Sequence, residues 1–225
     1  MLFEHLTKQL SKPTQGPWGW MVKKFLEGKG KLVEVNAVKL CDIQPESVVL
    51  ELGFGPGLGL QEAAKCLTLP KGKLYGLDYS EYMYRVASRR LKPDIQTGKV
   101  TLFHSSVEHI PLEDNVVDRV FHCNCYYYWP DLQSGCRQIY RVMKPGGLMV
   151  TTLTVEVLKK VVAAGLLKDT KWPPEPYMAA LRDTGFIDVY MDHKQDKGKL
   201  FQAIFAKVIS PECAADTDTG PGFEF

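Results

Sequence analysis

Alternating glycines in the segment ELGFGPGLG follow a run of branched apolar residues and are the clearest chemical feature of the chain. Glycine adopts left-handed backbone angles and lets a ligand approach the main chain, so the segment indicates a binding loop between a strand and a helix. The dinucleotide pattern G-x-G-x-x-G fails, because the sixth position from Gly53 is Leu58, and no Gly-Lys-Ser/Thr closes a P-loop. We therefore expect Glu51, at the end of the strand, to attract an amine rather than a pyrophosphate.

A second carboxylate, Asp78, ends the next apolar run, 25 positions beyond Gly53. An acidic side chain at that place can accept hydrogen bonds from both hydroxyls of a ribose. The same residue could instead cap the following helix, or serve both purposes. Taken with Glu51 and the glycines, Asp78 predicts a site for a nucleoside that carries a cationic tail.

Such a site requires strands that end at a common edge, and the rest of the sequence supplies them. Branched runs alternate with one-face helical patterns, which is typical of βαβ units and a parallel sheet. Pro70, Pro93 and Lys144-Pro145 are expected to end helical runs. The predicted strands are 47–53, 73–80, 99–106, 116–125 and 146–154, and the predicted helices are 58–68, 80–91 and 132–143. A helix over 172–186 and a hairpin of 187–193 with 199–209, linked by KQDKG, complete the prediction.

Four segments, ELGFGPG, YGLDYSEYM, FHSSVEHIPLEDNVVDRVF and MKPGG, resemble the class I S-adenosylmethionine-dependent methyltransferases over about residues 45–155. The resemblance implies an α/β fold: a doubly wound, Rossmann-like, mostly parallel seven-stranded sheet with helices on both faces. The C-terminal hairpin is expected to be antiparallel, and helical patterns near residues 2–10 and 18–42 predict an N-terminal helical cap. It also implies S-adenosyl-L-methionine as cofactor, with S-adenosyl-L-homocysteine as product. Methyl transfer to an N, O, S or C atom of a small-molecule acceptor, by in-line displacement, is the expected activity.

The resemblance also implies which residues contact the cofactor. The methionine part is assigned to Glu51 and the loop around it, the ribose to Asp78, and the adenine to Tyr79 and the loop after the third strand, where Ser106 stands in place of the usual acidic residue. Asn124, at the end of the fourth strand, is expected to face the methionine carbons and the acceptor. The full set of expected cofactor contacts is Glu51, Gly53, Phe54, Gly55, Gly57, Asp78, Tyr79, Ser106, Val107 and Asn124.

Two aromatic segments could hold the acceptor or belong to the core. CYYYWPD ends the fourth strand, at the edge where α/β sheets bind ligands. KPTQGPWGWM near the N-terminus contains two prolines and two glycines that should exclude a helix over 12–21, so a lid is expected there. The acceptor-binding residues predicted from the two segments are Trp18, Trp20, Tyr126, Tyr128 and Trp129. Asn124, Tyr126 and Tyr128 could orient the acceptor, and His109 is the candidate general base.

Composition limits the remaining possibilities. The 225 residues carry 28 Lys+Arg against 26 Asp+Glu, a net charge of +2 that is too small for a nucleic-acid or membrane partner. Six cysteines without a secretion signal are expected to be reduced thiols, no metal-ligand set is present, and no apolar stretch approaches 18 residues, so we expect a cytoplasmic protein. One domain is expected, with a cap over 1–46, a methyltransferase unit over 47–209 and a flexible tail over 210–225.

Three further alternatives remain open from the sequence. The chain could be a catalytically silent, methyltransferase-like binding subunit, or it could methylate RNA or protein. A nicotinamide-dependent dehydrogenase is a third alternative, disfavoured by the glycine spacing. A monomer and a homodimer are equally compatible with the sequence.

Overall fold

A computed structural model describes residues 2–167 and 172–210 of the chain. Its strands are β1 (Val48–Leu52), β2 (Lys73–Asp78), β3 (Val100–His104), β4 (Val117–Cys123), β5 (Met143–Leu153), β6 (Ile187–Asp196) and β7 (Lys199–Lys207). Its helices are α1 (Leu2–Ser11), α2 (Pro17–Lys29), α3 (Lys31–Leu40), α4 (Leu58–Cys66), α5 (Glu81–Arg90), α6 (Lys92–Gln96), α7 (Leu132–Val142), α8 (Val155–Ala163) and α9 (Pro174–Thr184), with a 3₁₀ turn at Tyr126–Tyr128.

The seven strands form one sheet in the order β3-β2-β1-β4-β5-β7-β6. Strands β1 to β5 are parallel, whereas β7 is antiparallel to both β5 and β6. The strand order reverses between β1 and β4, and doubly wound sheets bind ligands beyond the carboxyl ends of the strands at such a point. The expected fold class is confirmed, including the antiparallel C-terminal hairpin.

Helices cover both faces of the sheet because neighbouring side chains of each strand point to opposite faces. On β1, Val49 packs into a core with α3, α4 and α5, while Leu50 packs into a second core with α7 and α9. On β4, Phe121 and Val120 divide between the two cores in the same way. Near-continuous apolar runs are what a sheet buried on both faces requires.

The N-terminal segment differs from the expectation in one respect. Helix α2 begins at Pro17, so the prediction that 12–21 is not helical is wrong beyond residue 16. Proline is well tolerated at the first helical position, where its missing N–H would have no intrahelical partner. The helical pattern expected after Trp18 divides at Gly30 into α2 and α3.

Several element boundaries also differ. The segment MKPGG was expected to end a helix, but it lies within β5. The pairing of β5 with β4 is irregular there, and Gly146 has a φ of 78. Pro93 opens the short helix α6 instead of stopping a helical run, and the sequence pattern did not predict α8. The hairpin turn contains Lys197 and Gly198, at φ 50 and 74, because the strands continue through most of KQDKG. Positive φ at both positions is the geometry of a two-residue hairpin turn.

Within the described ranges, no helix has both the length and the hydropathy needed to cross a bilayer. The cysteines there are free thiols: Cys41, Cys66, Cys123, Cys125 and Cys136. Cys213 and most of the expected tail, residues 211–225, lie outside the described part of the chain.

Candidate functional site

A cavity of about 740 Å³ opens beyond the carboxyl ends of β1, β2 and β4 and extends beneath the N-terminal helices. One part of its wall comes from the glycine loop and the ends of the strands: Gly53, Gly55, Pro56, Asp78, Tyr79, Ser105, Ser106, Val107, Cys123, Asn124 and Cys125. The other part is largely apolar and includes Leu6, Leu10, Met21, Val22, Phe25, Leu26, Tyr127, Tyr128, Trp129, Val157, Leu158, Val161 and Leu167. The cavity therefore has a polar end at the strands and an apolar end under the cap.

Asp78 fixes the geometry of the polar end. Its Oδ2 accepts the N–H of Gly55 at 2.8 Å, and its Oδ1 accepts the N–H of Ser80 at 2.7 Å. Ser80, rather than Asp78, caps α5 by accepting the N–H of Met83. Each carboxylate oxygen of Asp78 retains a second acceptor site, so the side chain can tie the glycine loop to β2 and still receive a ligand hydroxyl.

Gly55 shapes the loop through its left-handed conformation, at φ 51, which a residue with a side chain adopts only under strain. A Cβ atom at this residue would meet only Leu26, at 3.9 Å, so the main chain is open on this side. Gly53, at the start of the loop, differs because a Cβ there would meet Cys125 at 2.9 Å. Close approach of a ligand to the loop is therefore possible at Gly55.

Two buried carboxyl groups meet at the first turn of α4. The Glu51 carboxyl group lies over Gly59, where a Cβ atom would come within 2.8 Å of its Cδ. The backbone N–H of Leu60 interacts with Glu51, and that of Gly59 with Glu34 of α3. Glu34 lines the cavity, and the Oε2 atoms of both glutamates have no hydrogen-bond partner.

Glu34 was not predicted as a site residue. It stands on the buried stripe of α3 with Val33, Ala37, Val38 and Cys41, at spacings that put all five on one helix face. A carboxylate in the middle of such a stripe is a signal that the sequence contained. Nothing in the local sequence, however, indicated which group Glu34 would face.

Burial controls the ionisation of these carboxyl groups. It raises the pKa of Glu34 to about 8 and the pKa of Asp78 to about 6, and the pKa of Glu51 well above its ordinary value. The negative charge of Glu34 raises the pKa of Glu51 further. A buried carboxylate without a partner is costly, so this end of the cavity favours a proton or a cationic ligand.

The N-terminal segment is attached to the polar end by polar contacts. The hydroxyl of Ser80 donates to the carbonyl of Pro13, and the ammonium group of Lys12 lies 3.8 Å from the centroid of the Tyr79 ring. Helix α1 is joined to the segment after α8 by a hydrogen bond from Thr7 Oγ1 to the carbonyl of Leu166, at 2.9 Å. The cap therefore closes over the cavity from two sides.

The loops after β3 and β4 contribute three of the predicted cofactor contacts to the wall: Ser106, Val107 and Asn124. Asn124 has a left-handed φ of 49, and its Oδ1 accepts the N–H of Thr154 at 3.3 Å. His109 also reaches the cavity, but its side chain is exposed at the rim.

The aromatic segment after β4 is arranged differently from the prediction. Residues 126–128 form a 3₁₀ turn instead of an extended run, so their side chains do not simply alternate. Tyr126 is fully buried, stacks on Tyr177 with ring centroids 4.5 Å apart, and donates its hydroxyl to the carbonyl of Trp172. The structure thus places Tyr126 in the core and not at the cavity wall. Tyr127, which was not predicted, lines the cavity with Tyr128.

The two N-terminal tryptophans also lie away from the cavity. Trp18 packs edge-on against His5, with centroids 5.8 Å apart, and Trp20 is 54% exposed. The prediction that they contact the acceptor does not match these positions, because the cavity-facing side of α2 presents Met21 and Phe25 instead. Phe54 is fully buried in the core beside β1, so only its backbone belongs to the loop.

The thiols near the cavity are held in the neutral form. Burial raises the pKa of both Cys123 and Cys125 well above the ordinary range of a thiol. Behind them, burial lowers the pKa of His122 to about 3, and its Nε2 lies 2.8 Å from both the Tyr177 and the Thr151 hydroxyls. Among the described residues, no group of three or more His, Cys, Asp or Glu side chains is placed to hold a metal ion.

Comparison with known sequences identifies the family to which this chain belongs. Residues 50–151 match the family model of a methyltransferase domain. Over 159 residues the chain is 34% identical to the uncharacterized methyltransferase YdaC of Bacillus subtilis, an alignment that spans 71% of this chain and 82% of YdaC. The chain belongs to the S-adenosylmethionine-dependent methyltransferases.

Other relatives of this methyltransferase match shorter segments. A demethylmenaquinone methyltransferase of a Geobacillus strain is 37% identical over 81 residues, which cover 36% of this chain and 34% of the relative. Among solved structures, a Haloferax volcanii methyltransferase in complex with the activator Trm112 superposes with a TM-score of 0.73 at 18% identity, covering 91% and 97% of the two chains. A SAM-dependent methyltransferase from Aquifex aeolicus gives a TM-score of 0.65 at 23% identity, covering 83% of this chain and 97% of its own. These two structures share the fold.

S-adenosylmethionine is the cofactor of this methyltransferase, and the residues at the polar end of the cavity suit it. The open main chain at Gly55 admits a ligand, and Asp78 retains acceptor sites for hydroxyls. Glu34 lines the cavity with an unpartnered Oε2 atom that suits an ammonium group, and the unpartnered Oε2 atom of Glu51 lies at the same helical turn behind the lining.

Proposed function

We propose that the protein transfers the methyl group of S-adenosylmethionine to a small, largely apolar acceptor that occupies the cap end of the same cavity. The observation that carries the proposal is the division of one cavity into a polar end at the strands and an apolar end under α1, α2 and α8. Its volume of about 740 Å³ lies in the upper part of the range typical of small-molecule sites.

The charges at the wall favour an acceptor without a strong negative charge. None of the described residues that line the cavity is a lysine or an arginine, so an anionic acceptor would find no opposite charge there. The acidic lining residues are Glu34 and Asp78 at the polar end, and Glu108 near the loop after β3. Burial of apolar surface under the cap is then the main source of acceptor affinity.

We assign the cofactor contacts as follows. Glu51 and Glu34 face the ammonium end, the backbone at Gly55 receives the methionine part, Asp78 accepts the ribose hydroxyls, and Tyr79, Ser106 and Val107 border the adenine. Bound S-adenosylmethionine supplies a methyl group already activated by the sulfonium. The remaining task of the protein is to hold the acceptor atom in line and to exclude water, for which orientation can contribute roughly 7–11 kcal/mol.

Several cavity groups are suited to that task because they stay neutral. The buried thiols of Cys123 and Cys125 remain protonated, so they do not compete with the acceptor as nucleophiles. Burial likewise raises the pKa of the Tyr127 and Tyr128 hydroxyls, which disfavours either as a base. His109, at the rim, is the proposed base where the acceptor must lose a proton.

A small acceptor agrees better with the closed cap than a macromolecular substrate does. The bond from Thr7 to Leu166 and the bond from Ser80 to Pro13 both hold the N-terminal segment in place beside the cavity, where Pro13 and Leu166 are lining residues. The near-neutral net charge of +2 also disfavours RNA.

The test is a labelling experiment with the purified protein. The protein is incubated with methyl-labelled S-adenosylmethionine and a cell extract, which is then separated into organic-phase metabolites, aqueous metabolites, protein and RNA. We expect enzyme-dependent label in the organic phase. Label in the protein or RNA fraction, or in an anionic aqueous metabolite, would overturn the proposed acceptor class.

A further inference from the structure

Two carboxyl groups from different elements interact with the backbone of the first turn of α4. Glu51 comes from the end of β1 and Glu34 from α3, and they interact with the neighbouring N–H groups of Leu60 and Gly59. These N–H groups lie in the first helical turn, where the backbone donors have no intrahelical acceptor. Glu51 is 1% exposed and Glu34 is 8% exposed, so water does little to stabilise a negative charge on either.

Neither glutamate forms an ion pair in the described part of the chain. The positive charge of Arg90 of α5 lowers the pKa of Glu34, but the Arg90 guanidinium forms its ion pair with Glu27 of α2. The Oε2 atoms of Glu34 and Glu51 have no hydrogen-bond partner, although Glu34 lines the cavity. Glu34 therefore presents a buried carboxyl group without an ion-pair partner to the ligand space, and Glu51 lies beside it at the same helical turn, outside the cavity lining.

We propose that Glu34 and Glu51 together form an ammonium-binding site that holds a proton in the free protein and exchanges it for the ammonium group of the bound cofactor. The inference rests on the proposed function, because it takes the polar end of the cavity as the cofactor site. It assigns to Glu34, a residue of the cap region, a direct role in cofactor binding and makes that binding release a proton.

The proton balance follows from electrostatics. Without a ligand, burial favours the neutral acid form of one carboxyl group, and the negative charges of Glu34 and Asp78 act on Glu51 in the same sense. Arg90 acts in the opposite sense but remains paired with Glu27. When an ammonium group arrives, its positive charge favours the carboxylate, so the O–H bond breaks and the proton leaves for the solvent.

The exchange has a measurable signature in calorimetry. Titration with S-adenosylhomocysteine in buffers of different ionisation enthalpy gives the number of protons released per ligand bound. Below about pH 7 the ligand amine itself stays protonated, so protons then come from the protein. We expect release of about one proton, and an affinity that rises about tenfold per pH unit between about pH 6 and pH 7.

A ligand control separates the ammonium site from the rest of the cavity. 5′-Methylthioadenosine has the nucleoside and the thioether but no ammonium group, so it should bind without the proton release attributed to the pair. Any contribution from Asp78, whose pKa burial raises to about 6, would occur with both ligands and cancel in the comparison. This comparison uses only the natural protein and does not depend on a variant that folds.

A variant control identifies the residue. Glu34→Gln keeps the shape of the side chain and should reduce proton release and flatten the pH dependence, whereas Glu62→Gln, on the outer side of α4 and paired with Lys65, should change neither. Binding of S-adenosylhomocysteine without proton release, equal release with both ligands, or unchanged release in Glu34→Gln would each overturn this inference alone. Absence of S-adenosylhomocysteine binding at every pH would overturn the proposed function as well.

Discussion

The carboxyl group of Glu51 occupies the space where Gly59 would carry a side chain. A Cβ atom at Gly59 would lie 2.8 Å from the Glu51 Cδ, closer than non-bonded carbon atoms approach. The fourth glycine of the loop is therefore required by a contact within the protein, while Gly55 leaves the main chain open toward the ligand.

Gly59→Ala should displace Glu51. Because the contact is with a buried carboxyl group, we expect a loss of about 1–3 kcal/mol in the free energy of unfolding. The affinity for S-adenosylhomocysteine should fall as well, and urea unfolding and calorimetry measure the two effects. Gly28→Ala is the matched control, since Gly28 is also helical but a Cβ atom added there would have no neighbour within 4 Å. It should be neutral or stabilising, and equal effects at both positions would contradict the Glu51 contact.

Asp78→Ala should weaken cofactor binding by roughly ten- to a hundredfold. The substitution removes an acceptor for the ribose and frees the Gly55 N–H, which loses a hydrogen bond to a charged group worth about 1.5–3 kcal/mol. Calorimetric titration with S-adenosylhomocysteine measures the change. Asp114→Ala, which removes an exposed carboxylate paired with Arg141, is the control and should bind as the natural protein does. Unchanged affinity in Asp78→Ala would show that the ribose lies elsewhere.

The stability of the ligand-free protein should fall as pH rises from about 5 to about 8. Burial raises the pKa of Glu34 in the folded state to about 8, above its ordinary value of 4.5. The folded protein then holds a proton that the unfolded chain has lost, and this contribution to stability disappears as pH rises through the folded-state pKa. Glu34→Gln should flatten the decline and be more stable than the natural protein above pH 8, by about 1–3 kcal/mol. Urea unfolding at pH 6 and pH 8.5 tests this, and parallel pH dependences would refute it.

Two aromatic residues of α2 should differ in their effect on the acceptor. Phe25 lines the cavity, whereas Trp20 does not, although both are about half exposed. Phe25→Ser should raise the KM for an apolar acceptor by about tenfold, since it removes apolar contact worth about 1.5 kcal/mol. Trp20→Ser should leave the KM unchanged. The measurement is label transfer into the organic phase at increasing acceptor concentration, and a larger effect at Trp20 would place the acceptor on the outer face of the cap.

Much of the fold was predictable because it depends on local patterns. Alternating runs of branched residues and helical periodicity gave five parallel strands and their helices with small errors at the ends. The errors occurred where one residue type is compatible with two local structures. Proline at residue 17 began a helix instead of excluding one, and Lys197-Gly198 closed a tighter hairpin than its polar link suggested.

In the predicted site, too, the residues at the strand ends were more predictable than the aromatic residues. Asp78, Asn124, Gly53 and Gly55 meet at one cavity because parallel strands bring their carboxyl ends to a common edge. The aromatic residues were less predictable, because a 3₁₀ turn rotates Tyr126 into the core and Tyr127 and Tyr128 toward the ligand space. A change from extended to 3₁₀ backbone alters which side chains face the same way.

The sequence by itself determined the sheet, the glycine loop and the carboxylates of β1 and β2, since each follows from residue types at short spacing along one chain segment. The tertiary structure alone decided that Glu34 of α3 faces Glu51 across the first turn of α4. Their proximity arises from the packing of α3 against α4 and the sheet, and packing depends on the shapes of all the surrounding side chains. No periodicity in the sequence records which buried side chains will be neighbours.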